Sequence, residues 1–191
     1  MKPTNVYQGQ PIVLLHVPKT GGTARTWSLR EHRALVWMPG HDVRQSQLAT
    51  NDIVVVAYVR HPVERFKSAW AWHPDARWRK ADDLALRIKD EYPTLKDMPA
   101  YRMQSWWLNR DPEDIMLFAT ESMTWTWPRL MGSLGIDAAP LPRPGEQGYN
   151  GLRLARRPEL TPEAVDAINE FYAEDRELWR GAGHRGSLPL D

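Results

Sequence analysis

The chain has 191 residues, and its 25 lysines and arginines against 24 aspartates and glutamates give a net charge of +1. This length suits one domain, and the balanced charge argues against a protein that coats nucleic acid or an anionic membrane. The absence of cysteine excludes disulfides, thiolate metal sites and cysteine nucleophiles. We therefore predict a single domain over residues 1–191, in which any anion site depends on local placement of charge.

The first predicted element is a short buried strand over Pro11–Val17, because the run is apolar and contains β-branched residues. It is far shorter than the roughly 20 residues that span a bilayer, so we expect no signal peptide, no membrane anchor and a cytoplasmic location. A helix is predicted over Thr23–His32, since this segment contains neither proline nor glycine. A second short strand is predicted over Ala34–Met38.

The strongest strand signal is Ile53–Val59, where isoleucine, valine and tyrosine dominate without polar alternation. A helix should begin at Pro62 and run to about Trp72, and another strand is expected over Ile115–Ala119. Further helices are predicted over Ala81–Lys89, Met98–Leu108 and Ser122–Leu134. Strands alternating with helices predict an α/β fold with a parallel central sheet and flanking helices.

The C-terminal part combines a predicted loop with a predicted helix. Residues Ala138–Leu160 are rich in proline and glycine, which is typical of a loop. The last helix should start with Thr161 as its N-cap and Pro162 in its first turn, and continue to about Trp179. The loop also carries four arginines that could close over an anionic ligand or simply be solvated: Arg143, Arg153, Arg156 and Arg157.

The segment Pro18–Thr23 lies at the predicted turn from the first strand into the first helix. Backbone amides converge on an anion at such a turn in parallel sheets, and the two glycines allow close approach and positive φ. Lys19 adds a full positive charge, so we predict a phosphate or sulfate ester as ligand. The segment is not a Walker A motif, because Lys19 precedes both glycines. The alternative is an ordinary tight turn beside a solvated lysine.

A second motif begins with Arg60 at the end of the strongest strand and places Ser68 early in the following helix. The planar guanidinium and the hydroxyl could converge on one phosphate. Nucleoside triphosphatases commonly place an acid at the end of such a strand to hold magnesium, whereas this strand ends in Arg60. A metal-free site is therefore favoured. The alternative is that Arg60 pairs with an acid such as Glu64 while Ser68 faces solvent.

Together the two motifs resemble the 3′-phosphoadenosine 5′-phosphosulfate (PAPS)-dependent sulfotransferases related to heparan sulfate 2-O-sulfotransferase. His16–Thr23 is similar to their 5′-phosphosulfate loop, and Arg60–Trp70, read as Arg-x-Pro-x-x-Arg-x-x-Ser-x-Trp, is similar to their 3′-phosphate motif. Weaker likeness continues through Gly40-His41, Gln104-Ser105 and Leu160–Asp175. The resemblance implies the P-loop nucleotide-hydrolase-like sulfotransferase fold and transfer of a sulfuryl group from PAPS to a hydroxyl or amine.

The resemblance also assigns roles to the site residues. The 3′-phosphate would be held by Arg60 and Ser68, and no metal is expected. The 5′-phosphosulfate would be held by Pro18, Lys19, Thr20, Gly21, Gly22 and Thr23. Two features depart from the family. His61 stands where Asp or Asn is common, and the chain is shorter than the membrane-anchored Golgi members, so their polysaccharide substrates do not carry over to it.

Lys19 and His41 are the predicted catalytic residues. Lys19 would stabilise the negative charge that develops on the leaving phosphate. His41 follows the second strand and Pro39-Gly40, which should place it near Lys19, and imidazole suits a general base at neutral pH. The resembling enzymes also use a Gly-His histidine as base. The alternative for His41 is an ordinary loop histidine, and His16 is expected to be structural.

The acceptor is expected to be a small molecule or a glycan. Seven tryptophans could stack on it, although tryptophan in a small domain is first a packing residue: Trp70, Trp72, Trp78, Trp106, Trp107, Trp125 and Trp127. Two other functions stay open. A P-loop kinase predicts magnesium dependence, which the missing acid after Val59 argues against. A nucleotide- or glycan-binding module with a degenerate transferase site is disfavoured by the presence of both Lys19 and His41.

Overall fold

The computed structural model describes residues 12–31, 36–37, 43–48, 53–73, 80–95, 97–109, 115–142 and 157–184. Within these residues four strands form one sheet in the order β2-β1-β3-β4, and every neighbouring pair is parallel. The strands are β1 (Ile12–Leu15), β2 (Val36–Trp37), β3 (Val54–Val59) and β4 (Met116–Ala119). The prediction of an α/β fold with a parallel sheet is confirmed.

Seven helices flank this sheet in the described part of the chain. They are α1 (Gly22–Ser28), α2 (Pro62–Trp70), α3 (Ala81–Leu86), α4 (Ile88–Leu95), α5 (Met123–Ser133), α6 (Pro162–Phe171) and α7 (Ala173–His184). Short 3-10 turns add Gln45–Gln47, Gln104–Trp106 and Thr120–Ser122. Among the described residues, no helix is long and apolar enough to cross a membrane.

The sheet is buried on both faces, which explains why its strands are continuous apolar runs. Alternate residues such as Leu14 and Tyr58 pack on one face with α5. Their neighbours Leu15 and Val59 pack on the other face with Trp107 and α7. A third apolar cluster lies between α2, α3, α4 and α6. Helices therefore cover both faces of the sheet and fix its position in the core.

The strand order brings the two predicted motifs to the same edge of the sheet. Leu15 near the end of β1 is in register with Ala57 of β3, so both strands end close together. After β1 the chain turns to β2 on one side, whereas β3 lies on the other side. In open parallel sheets, ligands bind at the carboxyl ends of strands where the connections diverge in this way.

The predicted helix over Met98–Leu108 is wrong, because only a 3-10 turn over Gln104–Trp106 forms there. The backbone N–H groups of Gln104 and Ser105 donate to the carboxylate of Asp175, at 2.8 and 3.0 Å. Asp175, which is distant in the sequence, thus accepts from two backbone N–H groups that would otherwise donate to carbonyls within a helix. The sequence pattern of this segment could not reveal a partner that lies in α7.

Two other predicted helices are divided. The helix expected over Ala81–Lys89 ends at Leu86, and α4 starts beyond Arg87. The last helix is divided at Tyr172, whose buried hydroxyl donates to the carbonyl of Tyr101 at 2.5 Å. The start of α6 is as predicted, since the Thr161 hydroxyl accepts from a backbone N–H of the first turn at 3.3 Å.

Candidate anion-binding site

The loop between β1 and α1 has an unusual backbone. Lys19 has φ 69° and is the only non-glycine residue with positive φ in the described ranges, while Gly21 has φ 81°. Thr20 between them has negative φ. Alternating backbone conformations of this kind direct successive N–H groups into a concave nest that binds anions. The predicted anion loop thus has a backbone suited to its task, although α1, with seven residues, is short.

The two glycines of the loop are needed for different reasons. Gly21 adopts the left-handed conformation that glycine favours, and a Cβ there would lie 2.5 Å from Cε of Met123. Gly22 has ordinary φ, but a Cβ on it would lie 2.7 Å from two ring carbons of His16. Positive φ was therefore correctly predicted for the first glycine, whereas the second makes room for the imidazole of His16.

Arg60 joins the second motif to this loop. Its Nη1 donates to the carbonyl of Lys19 at 3.3 Å, so the end of β3 contacts the loop after β1. Its backbone is held by Gln104, whose Oε1 accepts from the Arg60 N–H and whose Nε2 donates to the Arg60 carbonyl, both at 2.9 Å. Gln104 is held in turn by Asp175. Arg60 is therefore fixed at the sheet edge by a chain of buried partners.

Arg65 fixes α2 to the same loop. Its guanidinium is fully buried, and Nε donates to the carbonyl of Pro18 at 3.1 Å while Nη2 donates to that of Pro99 at 3.3 Å. Burial lowers the pKa of Arg65, and the nearby Asp175 raises it. Burial likewise raises the pKa of Asp175, which the charge of Arg65 and the backbone N–H donors oppose. The two charges support each other without a direct ion pair.

An acid from the next strand lies beside Arg60. Glu121 follows β4, and its Oε1 is 3.9 Å from Nε of Arg60 and accepts from the backbone N–H of His61 at 3.1 Å. Its other oxygen accepts from Trp179 Nε1 at 2.9 Å. The ring of His61 packs edge-on against Trp179 at 4.7 Å, and burial lowers the pKa of His61. Glu121 and Trp179 thus tie down the strand end where the resembling family has Asp or Asn.

Arg60 does lie beside an acid, as the alternative prediction had it, but the acid is Glu121 and not Glu64. Glu64 instead lies 3.4 Å from Lys67 and 3.4 Å from Arg157, which is the one loop arginine among the described residues. Arg60 interacts with Glu121 at the sheet edge. A sequence pattern favours Glu64 because it is near in the chain, whereas the fold places Glu121 nearer in space.

Trp72 lies next to Lys19. Nζ of Lys19 is 4.3 Å from the centre of the Trp72 ring, which is a cation–π contact, and the side chain of Trp72 is 40% exposed. Among the other tryptophans, Trp107 and Trp127 are fully buried packing residues. Trp72 is therefore a tryptophan that the fold brings to the predicted catalytic lysine. Trp78 lies outside the described residues.

The remaining predicted site residues have different outcomes. Thr23 is exposed in the first turn of α1, and Ser68 is partly buried on α2, the helix that Arg65 fixes to the loop. The predicted base His41 lies outside the described residues, as do the loop arginines Arg143, Arg153 and Arg156. The structure thus unites the Pro18–Thr23 loop with Arg60.

Nothing matched when the chain was compared with protein-family models, with curated proteins and with solved structures. Membership of the sulfotransferase family therefore stays a prediction, and so do the metal-free site and the single-domain organisation. In the part of the chain that the structure describes, no group of three or more His, Asp or Glu side chains could hold a metal ion.

Sequence reasoning missed two residues of this region, the acid Glu121 described above and the buried cation Arg25. Arg25 lies on α1 with 1% of its surface exposed, and its Nη2 is 3.4 Å from Oγ1 of Thr20. The hydroxyl of Thr20 donates to the carbonyl of Val17 at 2.7 Å, so the centre of the loop is hydrogen-bonded to the residue just before it. An arginine in a surface helix ordinarily faces solvent. The sequence therefore carries no signal for this placement.

Proposed function

We propose that this protein is a sulfotransferase that moves the sulfuryl group of PAPS to a hydroxyl or amine of a small-molecule or glycan acceptor, on a P-loop-like sulfotransferase fold. The observation that carries the proposal is the contact between Nη1 of Arg60 and the carbonyl of Lys19. Two motifs that are far apart in the sequence meet at one edge of a parallel sheet. That edge is where such sheets bind nucleotides.

The charges of this edge suit a ligand with two anionic groups. The nest formed by the Pro18–Gly22 loop, together with Lys19, would hold the 5′-phosphosulfate. Arg60 and Ser68 would hold the 3′-phosphate, since a guanidinium presents a planar pair of donors to phosphate oxygens. A nucleotide with a 3′-phosphate and a 5′-phosphosulfate carries both groups on one ribose.

The reaction needs a leaving-group stabiliser and a base. The acceptor oxygen or nitrogen attacks sulfur, the bond from sulfur to the bridging oxygen breaks, and its electron pair stays on the 5′-phosphate. Lys19 would stabilise this charge, and the proton of the acceptor would pass to His41. Trp72, exposed beside Lys19, offers a flat surface for the acceptor.

A kinase is the second candidate, and Glu121 is the observation that favours it. This acid follows β4 at the edge where a nucleoside triphosphatase would hold magnesium. However, both carboxylate oxygens already accept hydrogen bonds, from the backbone of His61 and from Trp179. These bonds fix the carboxylate beside Arg60, 3.9 Å from its Nε, so a cation at Glu121 would compete with the guanidinium, and the titration below decides between the two ligands.

Calorimetric titration with adenosine 3′,5′-bisphosphate, the desulfated product, tests the proposal against ATP with magnesium. We expect selective binding of the bisphosphate. Arg60→Ala should weaken it about 10–100-fold, because hydrogen bonds to charged groups contribute about 1.5–3 kcal/mol. Arg129→Ala removes the same charge from the exposed face of α5 and should leave the affinity unchanged. Selective binding of ATP would favour the kinase, and binding of neither would favour a degenerate module.

Turnover measurements in an acceptor screen separate the two catalytic roles. Lys19→Ala should abolish turnover more than it weakens binding of the bisphosphate. His41→Ala should cut turnover about 100-fold or more while leaving nucleotide affinity nearly intact, as expected for loss of a general base. Full activity of His41→Ala would remove this histidine from the mechanism.

A further inference from the structure

Arg25 is a buried cation without a carboxylate partner among the described residues. Its Nε and Nη1 are buried and make no hydrogen bond there, and only Nη2 has a polar contact, at 3.4 Å from Oγ1 of Thr20. The guanidinium lies 4.5 Å from the centre of the Tyr58 ring. Burial raises the pKa of Tyr58, so that this hydroxyl stays neutral at neutral pH and supplies no counter-charge.

Arg65 provides an internal comparison, because it is buried to the same extent. Two backbone carbonyls accept from Arg65, and Asp175 adds a favourable charge. Among the described residues Arg25 has neither kind of compensation, and burial lowers its pKa to about 10. A charge buried without partners is costly to the fold and is retained where something else stabilises it.

The position of Arg25 indicates what that partner is. Thr20, its one hydrogen-bond partner in the part of the chain that the structure describes, is completely buried and lies between the two positive-φ residues Lys19 and Gly21. Arg25 therefore contacts, from the protein interior, the residue at the centre of the loop that would bind an anion. The low-dielectric surroundings of a buried charge let it act through Thr20 on an anion in the nest.

We propose that Arg25 is the buried counter-cation of the anionic group held by the Pro18–Gly22 loop and positions Thr20 beneath it. The inference rests on the proposed function only in so far as this loop binds an anion. Arg25 is a positioning residue and not a catalytic one, since its guanidinium is enclosed. The ligand-free protein is less stable because of this charge, and an anionic ligand restores the stability.

Arg25→Met tests this inference, because it removes the charge and keeps the apolar stem. The ligand-free variant should unfold at a higher temperature than the wild type, while its dissociation constant for adenosine 3′,5′-bisphosphate should rise about tenfold. Arg25→Lys keeps a positive charge and should retain affinity within about threefold of the wild type. Arg65→Met is the matched control and should lower the unfolding temperature, because it leaves Asp175 buried without its countercharge.

Inorganic pyrophosphate, titrated in parallel, separates this inference from the proposed function. Binding of pyrophosphate but not of the bisphosphate, with Arg25→Met weakening it, would support the counter-cation and overturn the nucleotide assignment. Unchanged bisphosphate affinity in Arg25→Met would overturn the counter-cation and leave the proposed function standing. A ligand-free Arg25→Met that is less stable than the wild type, or does not fold, would also overturn it, and so would failure of the wild type to bind either anion.

Discussion

The side chain of Gln104 is hydrogen-bonded to the backbone of Arg60, and replacing Gln104 with methionine measures how much these bonds stabilise the fold. The side chain is 0% exposed, and its amide makes two hydrogen bonds with the Arg60 backbone, each 2.9 Å long. Methionine has a similar volume, so Gln104→Met removes the hydrogen bonds that the amide makes with the N–H and the carbonyl of Arg60. Each unsatisfied group costs about 1–3 kcal/mol, and apolar burial regains about 1 kcal/mol. We expect the free energy of unfolding to fall by about 1–5 kcal/mol.

Gln45 is a matched control that the chain itself supplies. It also begins a 3-10 turn and is 2% exposed, but its side-chain Oε1 and Nε2 have no hydrogen-bond partner within the described ranges. Gln45→Met therefore removes a buried amide that is already unsatisfied. Its unfolding free energy should stay unchanged or rise by about 1 kcal/mol, because burying an unpaired polar group is unfavourable.

Urea unfolding followed by tryptophan fluorescence compares the two variants. For a slope of about 2–3 kcal/mol per molar urea, Gln104→Met should lower the midpoint by about 1 M. Gln45→Met should leave it in place or raise it. Equal midpoints for the two variants would refute the reasoning, because the Gln104–Arg60 bonds would then contribute nothing. Weakened bisphosphate binding by Gln104→Met is expected as well, since Arg60 loses its support.

Three further outcomes follow from other contacts. Gly22→Ala drives a Cβ into the neighbouring imidazole and should cost about 1–3 kcal/mol in thermal unfolding, whereas Gly132→Ala on α5, where a Cβ meets nothing within 4 Å, should be stabilising. A double-mutant cycle with Lys19→Met and Trp72→Leu should give a coupling of about 0.5–1 kcal/mol, and zero coupling would deny the cation–π contact. Burial raises the pKa of Asp175 above 3.8. The unfolding free energy of the wild type should therefore exceed that of Asp175→Asn by most below this pH, and the difference should shrink as the pH rises through the native pKa. A difference that grows over this range would contradict the raised pKa.

The sequence predicted the sheet well because its strands are continuous apolar runs. Such runs are buried on both faces in a parallel sheet, and the strands near Ile12, Val54 and Met116 are found where the pattern places them. It also predicted the N-terminus of α6, since the Thr161 cap is a local interaction. Local signals therefore carry most of the architecture.

The errors arise where distant residues decide the local structure. Residues Met98–Leu108 have helix-forming residues, yet Asp175 of α7 takes two of their backbone N–H donors. The buried placement of Arg25 and the acid beside Arg60 have the same origin, because each depends on which strands become neighbours. Motif spacing predicted which residues could bind an anion, but the strand order decided which charges face them.

The pairing of β1 with β3 has a consequence for folding. These strands are parallel, with positions 15 and 57 in register. The chain between them therefore forms a long loop whose ends must come together before the strands can pair. The loop after β1 and the arginine after β3 come together only at that moment. A chain that has formed only β1, α1 and β2 contains the loop after β1 but does not have Arg60 beside it. Nucleotide binding during refolding would therefore report the closure of this long-range contact and lag behind the formation of helices.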